Sequence, residues 1–180
     1  MVYCFLAEGF EEMEAIVPID ILRRGEVDVQ IVGVGEDIIT GAHGISVYTD
    51  LTAQEITLDD TVEMIILPGG MPGTLNLEAN KYVQAAIDFC AAKGKYIAAI
   101  CAAPSILGHK GLLKGREAIC FPGYESQLEG AVISEKPVVT DGNIITAKSA
   151  GTAREFGIEL IKTLKGEGKA RKIQDSLQCS

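Results

Sequence analysis

Ala98-Ala99-Ile100-Cys101-Ala102-Ala103-Pro104 is the stretch on which the reading of this chain turns. The run from Tyr96 to Ile100 is short and apolar, the mark of a strand buried on both faces. Pro104 suits the first turn of a helix, where its missing N–H costs nothing, so a helix from Pro104 to His109 follows. Cys101 then stands at a sharp strand-to-helix turn flanked by small alanines. Unpaired N–H groups and the positive end of the helix dipole would favour thiolate over thiol there. The alternative is a buried structural cysteine.

The same alternation extends in both directions. Val2 to Leu6 reads as a buried strand. Glu12 to Arg24 reads as a helix, with Met13, Ile16, Val17, Ile19, Ile21 and Leu22 at largely helical spacing and Gly25 as its stop. Val27 to Val34 is a second strand. Ile38 to Thr40 and Ile45 to Tyr48 read as a hairpin or paired excursion. Val62 to Leu67 is a third core strand, ended by Pro68-Gly69-Gly70, and a Pro/Gly/Asn loop then leads to a helix from Lys81 to Ala92. Ala118 to Phe121 is short and apolar, and Pro137 to Thr146 reads as a hairpin about Asp141-Gly142. Helices from Thr152 to Leu164 and from Gly168 to Leu177 close the chain. Strands alternating with helices predict an α/β fold with a mainly parallel sheet covered on both faces, in one domain over residues 1–180. Sites in such sheets form beyond the carboxyl ends of the strands. The loops to inspect therefore follow Leu6, Leu67, Ile100 and Phe121.

Composition narrows the function classes. A formal charge of −9 argues against nucleic-acid binding, which needs a basic face. The late cluster Lys162, Lys165, Lys169, Arg171 and Lys172 reads as a solvated helix face. No apolar run is long enough to cross a membrane. The first strand meets Glu8 too soon for a signal peptide. Cys4, Cys90, Cys101, Cys120 and Cys179 are odd in number and form no C-x-x-C pair, which predicts free thiols in a reducing cytoplasm. Cys4, Cys90 and Cys120 read as structural, and Cys179 as a tail thiol. Two histidines and no zinc spacing predict no metal site. Gly33-Val34-Gly35 lacks a following G-x-x-G and no G-K-[ST] appears, so a bound nucleotide or flavin has no phosphate loop, and no cofactor is expected.

Two further groups could complete a site around Cys101. Gly69 and Gly70 can present bare N–H groups to an oxyanion, or form a plain turn. Among Glu8, Glu11, Glu12 and Glu14, the last sits beside Ala15 and Ile16 and could point inward. A buried carboxyl beside sulfur would have a raised pKa, stay protonated, donate a hydrogen bond to the sulfur and relay protons. His109 lies about 12 Å along the helix axis from Cys101 and cannot pair with it from the same helix. His43 is unplaced, so a Cys-His arrangement has no obvious base.

Glu11-Glu12-Met13-Glu14, Pro18-Ile19-Asp20 with Arg23-Arg24, Leu67-Pro68-Gly69-Gly70, Ala98 to Ala102 and Gly151 to Phe156 together resemble the DJ-1/ThiJ/PfpI superfamily, most closely its DJ-1/YajL branch. The resemblance covers essentially the whole chain. It implies a flavodoxin-like three-layer sandwich and a homodimer. It implies Cys101 as nucleophile and oxidation-sensitive thiol, Glu14 as the protonated acid bonded to it, and Gly69, Gly70 and Ala102 as oxyanion-binding amides. Met13, Ile16, Asp20, Arg23 and Arg24 match a dimer surface. PfpI-type peptidases carry histidine directly after the cysteine; Ala102 here speaks against peptide cleavage. Phe121 stands where DJ-1 has a histidine near its pocket, and Lys148 to Gly151 replace a Gly-Pro-Gly turn.

The resemblance implies one of two activities for this site. One is a glyoxalase- or deglycase-type reaction on a small aldehyde such as methylglyoxal, giving lactate without a cofactor. The other is a non-enzymatic oxidative-stress sensor or chaperone, acting through oxidation of Cys101 to the sulfinate.

Overall fold

The computed structural model describes residues 1–178, so the reading of Cys179 lies outside the described residues. In chain order the elements are β1 (Val2–Leu6), α1 (Glu12–Arg24), β2 (Val29–Gly33), β3 (Ile38–Thr40), β4 (Ser46–Tyr48), β5 (Leu51–Thr52) and β6 (Met64–Leu67). They continue with α2 (Gly73–Ala79), α3 (Lys81–Lys93), β7 (Tyr96–Ile100), α4 (Pro104–His109), β8 (Glu117–Ala118) and β9 (Val132–Ile133). β10 (Val138–Asp141), β11 (Ile144–Ala147), α5 (Ala153–Lys165) and α6 (Glu167–Ser176) complete the chain.

A seven-stranded sheet in the order β10-β11-β7-β6-β1-β2-β5 forms the middle layer. Every pairing in it is parallel except β10 against β11, the hairpin about Asp141-Gly142. The α/β fold with a mainly parallel sheet is thus as the alternation predicts. Successive strand residues point to opposite faces. Cys4, Leu6, Met64, Ile66, Ala98 and Ile100 pack beneath α1, α5 and α6 with Ile19, Leu22, Phe156, Leu160 and Ile173. Phe5, Ile65, Leu67, Ile97 and Ala99 face the other way, onto Leu77, Val83, Ile87, Ile106 and Leu107 of α2, α3 and α4. The strands are apolar at nearly every position because both faces are covered.

Several local expectations are corrected. The Pro/Gly/Asn loop contains α2, a seven-residue helix. It carries too little apolar periodicity to announce itself; its buried residues are Gly73, Thr74 and Leu77. Asn80 ends α2 and also caps α3, its side chain accepting from the Tyr82 and Val83 amides at 2.9 and 3.1 Å. The apolar run at Ala118 contributes only β8, which pairs in parallel with β9 outside the main sheet. β3 and β4 form the expected hairpin, also outside the main sheet. On α1, Met13 and Ile16 share the helical spacing but face outward, at 53% and 38% exposure. Glu12 and Glu14 are buried instead.

Candidate active site

β6 and β7 lie side by side at the centre of the sheet. Their carboxyl ends lead straight into Gly69-Gly70 and Cys101. β1 flanks β6, and the loop after it runs into α1. Glu11 caps that helix, accepting the Glu14 amide at 2.8 Å, while its own amide donates to the Gly69 carbonyl at 3.0 Å. The first turn of α1 is thereby tied to the loop after β6.

Cys101 adopts φ +66°, a left-handed conformation that a side chain disfavours. The turn is held on both sides. The Cys101 N–H donates to the Ala147 carbonyl at 2.9 Å, and the Cys101 carbonyl accepts the Phe121 N–H at 2.8 Å. The buried Ser105 hydroxyl donates to the Ala102 carbonyl at 2.7 Å and fixes the next peptide. Such strain persists only where the surroundings over-determine it.

Glu14 is 1% exposed. Its carboxyl accepts the Gly69 amide at 2.9 Å, and also meets the Ala150 amide and the Cys101 thiol. Burial pushes its pKa up to about 7, against the lowering pull of the hydrogen bonds from Cys101, Gly69 and Ala150; the Glu11 charge adds to the rise. The Cys101 thiol is also pushed up, first by burial, then by the charge of Glu14 and the hydrogen bond to it; the Ala102 amide opposes. This corrects the expectation of a thiol lowered by a helix end. α4 has six residues and begins three positions after Cys101, and burial is the largest influence on the thiol. The Glu14 charge is among the influences that hold the proton on sulfur, so the protonation of the two groups is coupled.

Gly69 and Gly70 have separate tasks. The Gly69 amide is committed to Glu14, not to an oxyanion. A Cβ on Gly69 would lie 2.5 Å from Glu14 Oε2 and 2.8 Å from Cys101 Cβ, so glycine is what lets acid and thiol meet. Gly70, at φ +95°, and Ala102 line a cavity of about 150 Å³ above the sulfur with Met71, Cys101, Phe121 and Tyr124. Among the described residues neither the Gly70 nor the Ala102 amide donates to a backbone carbonyl, and the Ala102 amide meets the Cys101 sulfur.

The remaining residues fall elsewhere. His43 sits on Glu12, with Nδ1 2.8 Å from Oε2. His109 Nδ1 lies 2.6 Å from Glu78 Oε1 and Nε2 2.7 Å from Gln127 Oε1. Neither histidine is among the groups acting on Cys101. Glu11, Glu12 and His43 bring ligand-type atoms within 4.8 Å of one another, but Glu12 Oε1 is already taken by the His43 amide at 2.7 Å. Cys4 and Cys90 are buried, and burial raises each to about 12; Cys120 rises to about 11 for the same reason. On the outer face of α1, Arg24 pairs with Asp20 at 2.7 Å and Arg23 with Asp50 at 3.1 Å. Sequence reasoning missed Met71 and Tyr124, and it singled out the segment from Lys148 to Gly151 without assigning Ala150 a contact with Glu14. The clue to Ala150 was the parallel pairing of β11 with β7, which brings the loop after β11 to the same end of the sheet.

A model of the DJ-1/PfpI family matches residues 1–163. The chain belongs to the DJ-1/PfpI family. Protein DJ-1 homolog B of Arabidopsis thaliana is 37% identical over 96% of this chain, which spans only 40% of that relative's length. Deglycase PfpI of Pyrococcus furiosus is 34% identical, with 88% of this chain aligned to 96% of the relative. In structure, a DJ-1 superfamily protein of Salmonella typhimurium, STM1931, solved as its C103A mutant, superposes with a TM-score of 0.92 and 36% identity. That match covers 98% of this chain and 97% of the other. The three layers are therefore those of the DJ-1 superfamily. Among the described residues no helix is long and apolar enough to cross a membrane.

Proposed function

We propose that this DJ-1/PfpI member is a cysteine-dependent enzyme acting on small reactive carbonyls, of glyoxalase or deglycase type. The observation that carries this reading is the contact of a buried acid, Glu14, with a thiol on a strained turn beneath a small cavity. With the shared proton on Glu14, the Cys101 thiolate attacks the aldehyde carbon of methylglyoxal. A C–S bond forms, and the carbonyl electron pair moves to oxygen, received by the Gly70 and Ala102 amides. Protonation of that oxygen by Glu14 gives the hemithioacetal and leaves a carboxylate. The carboxylate then removes the proton from the sulfur-bearing carbon to give an enediolate, the hydroxyl proton passes to the neighbouring oxygen, and Glu14 returns its proton to the neighbouring carbon. The product is a lactoyl thioester, which water cleaves to lactate and free thiol. A Glu14 pKa of about 7 suits a group that both gives and takes a proton near neutrality. The name of the Pyrococcus relative, a deglycase, favours the same chemistry. Lactate formation from methylglyoxal, followed by NMR, tests it. Wild-type protein forms lactate, while Cys101→Ala and Glu14→Gln lose nearly all turnover. Equal consumption by wild type and Cys101→Ala sinks the reading.

The groups around sulfur also favour a sensor reading. Two peroxide molecules would oxidise the Cys101 thiolate to the sulfinate, each delivering one oxygen atom and leaving as water. Protonated Glu14 and the Ala102 amide would hold the new oxygens. Intact mass after mild peroxide, with the modified peptide identified, separates this from oxidation at another cysteine. The exposed Met13 and Ile16 on α1 support a second copy of this chain as partner, which sedimentation of wild type against Ile16→Asp tests.

A further inference from the structure

We propose that the cavity over Cys101 selects carbonyl compounds with an uncharged, apolar substituent up to about the size of a phenyl ring, and that Met71, Phe121 and Tyr124 set this preference. The inference rests on Cys101 as the nucleophile and adds the class of substrate that reaches it. The cavity has a volume of about 150 Å³, and an apolar cavity of about that volume is known to take up benzene. Its accessible lining is almost wholly apolar. Three large side chains supply the walls above the Gly70 and Ala102 backbones beside the sulfur. Among the described residues no lysine, arginine or histidine lines it. A carboxylate on the substrate would lose its water and gain no cation in return, and Glu14 behind the sulfur repels it whenever ionised.

Two of the wall residues are tied to the Cys101 turn through their backbones. Phe121 donates its amide to the Cys101 carbonyl at 2.8 Å, and Tyr124 donates its amide to the Phe121 carbonyl at 3.0 Å. Phe121 and Met71 are nonetheless 44% and 41% exposed. Two large apolar side chains held open at the mouth of a nucleophile's cavity are surfaces that an apolar substituent can cover. The polar rejection is the stronger effect, because an unpaired charge costs more than an aryl contact gains.

The test uses the whole protein and three α-bromocarbonyl probes that differ only in the substituent: phenacyl bromide, bromoacetone and bromopyruvate. In each the thiolate displaces bromide; a C–S bond forms as the C–Br bond breaks and bromide leaves with its electron pair. The rate at the Cys101 peptide is read by mass and divided by the rate with free cysteine. We expect the normalised preference for phenacyl bromide over bromopyruvate to be about a hundredfold. Phe121→Ala should reduce the preference for phenacyl bromide over bromoacetone about tenfold, and Phe121→Lys should raise the bromopyruvate rate about tenfold. Phe121 is exposed enough for both substitutions to be tolerated. Normalised ratios within about twofold of free cysteine, or unchanged in both variants, overturn the selection. Slow alkylation by every probe with the ratios preserved supports the selection and counts against the reactive-thiolate reading, so the two failures are distinguishable.

Discussion

The Gly69 amide donates to Glu14 Oε2 at 2.9 Å, and a Cβ on Gly69 would come within 2.5 Å of the same oxygen. This glycine both anchors the acid and leaves it room to reach the thiol. Neither Glu14 nor Cys101 Cβ can retreat freely, since Glu14 is buried and Cys101 is held through its backbone on both sides. Gly69→Ala should therefore destabilise the fold by about 1–3 kcal/mol, the usual cost of forcing extra volume into a packed site. Urea unfolding measures it. A variant with wild-type stability and wild-type Cys101 alkylation would show that the fit is looser than the distances imply.

Glu14 makes stability depend on pH in a definite direction. Its pKa in the fold is about 7, raised from an ordinary 4.5 by burial first. Between those values the folded chain holds a proton that the unfolded chain has released. The contribution is fully present below pH 4.5 and is lost as pH rises through about 7. A shift of this size corresponds to ~3 kcal/mol. Urea midpoints of wild type and Glu14→Gln should converge or cross as the pH is raised through this window, because the variant cannot ionise there. Parallel midpoint curves from acid to neutral pH would mean that Glu14 titrates normally.

What was legible in the sequence is what local pattern controls. The turn at Cys101 follows from a run of strand residues meeting Pro104, and the inward side of Glu14 from its phase on one helix. Both need only neighbouring residues. The task of Gly69 does not, because its partner lies 55 positions away. Ala150 reaches the same carboxyl from the loop after β11, two strands away from β6, and only the strand order brings it there. The environment of the thiol was misjudged for a related reason. A dipole argument sees the next helix, whereas the burial that dominates is set by the whole fold. Met13 and Ile16 show a limit of periodicity. Spacing groups them with the core of α1, and only packing reveals that they are exposed and that Glu12 joins Glu14 on the buried side.

His109 ties together three segments that continue into the walls of the cavity. It ends α4, pairs with Glu78 of α2 and meets Gln127 of the turn after Tyr124. Its pKa is raised, first by the Glu78 hydrogen bond, then by Gln127, with Glu78 and Glu129 adding charge. The imidazolium has two N–H donors, which match the two acceptors. The stabilisation is thus complete below the ordinary value of 6.5 and fades as pH rises through the raised value. Hydrogen exchange at the Gln127 amide, which donates to the Tyr124 carbonyl at 2.9 Å, should show more protection below the transition than above it, after correction for intrinsic rates. His109→Ala should abolish the difference. Protection that is independent of pH in wild type would remove the histidine from this role.

Cys101 itself carries a cost that a pair of substitutions can isolate. At φ +66° its side chain is disfavoured, whereas glycine occupies this region without penalty. Cys101→Ala and Cys101→Gly both remove the sulfur, so both lose the Glu14 contact and any reaction that depends on the thiol. They differ in the Cβ. At an ordinary position alanine would be the more stable, because glycine loses more chain entropy on folding. Here the order should reverse, with Cys101→Gly more stable than Cys101→Ala by about 1 kcal/mol in urea unfolding. If alanine proves the more stable, the turn is relaxed and no strain is stored at the nucleophile. If glycine does, the fold holds this thiol beside a buried acid at the expense of stability, as a position kept for chemistry would.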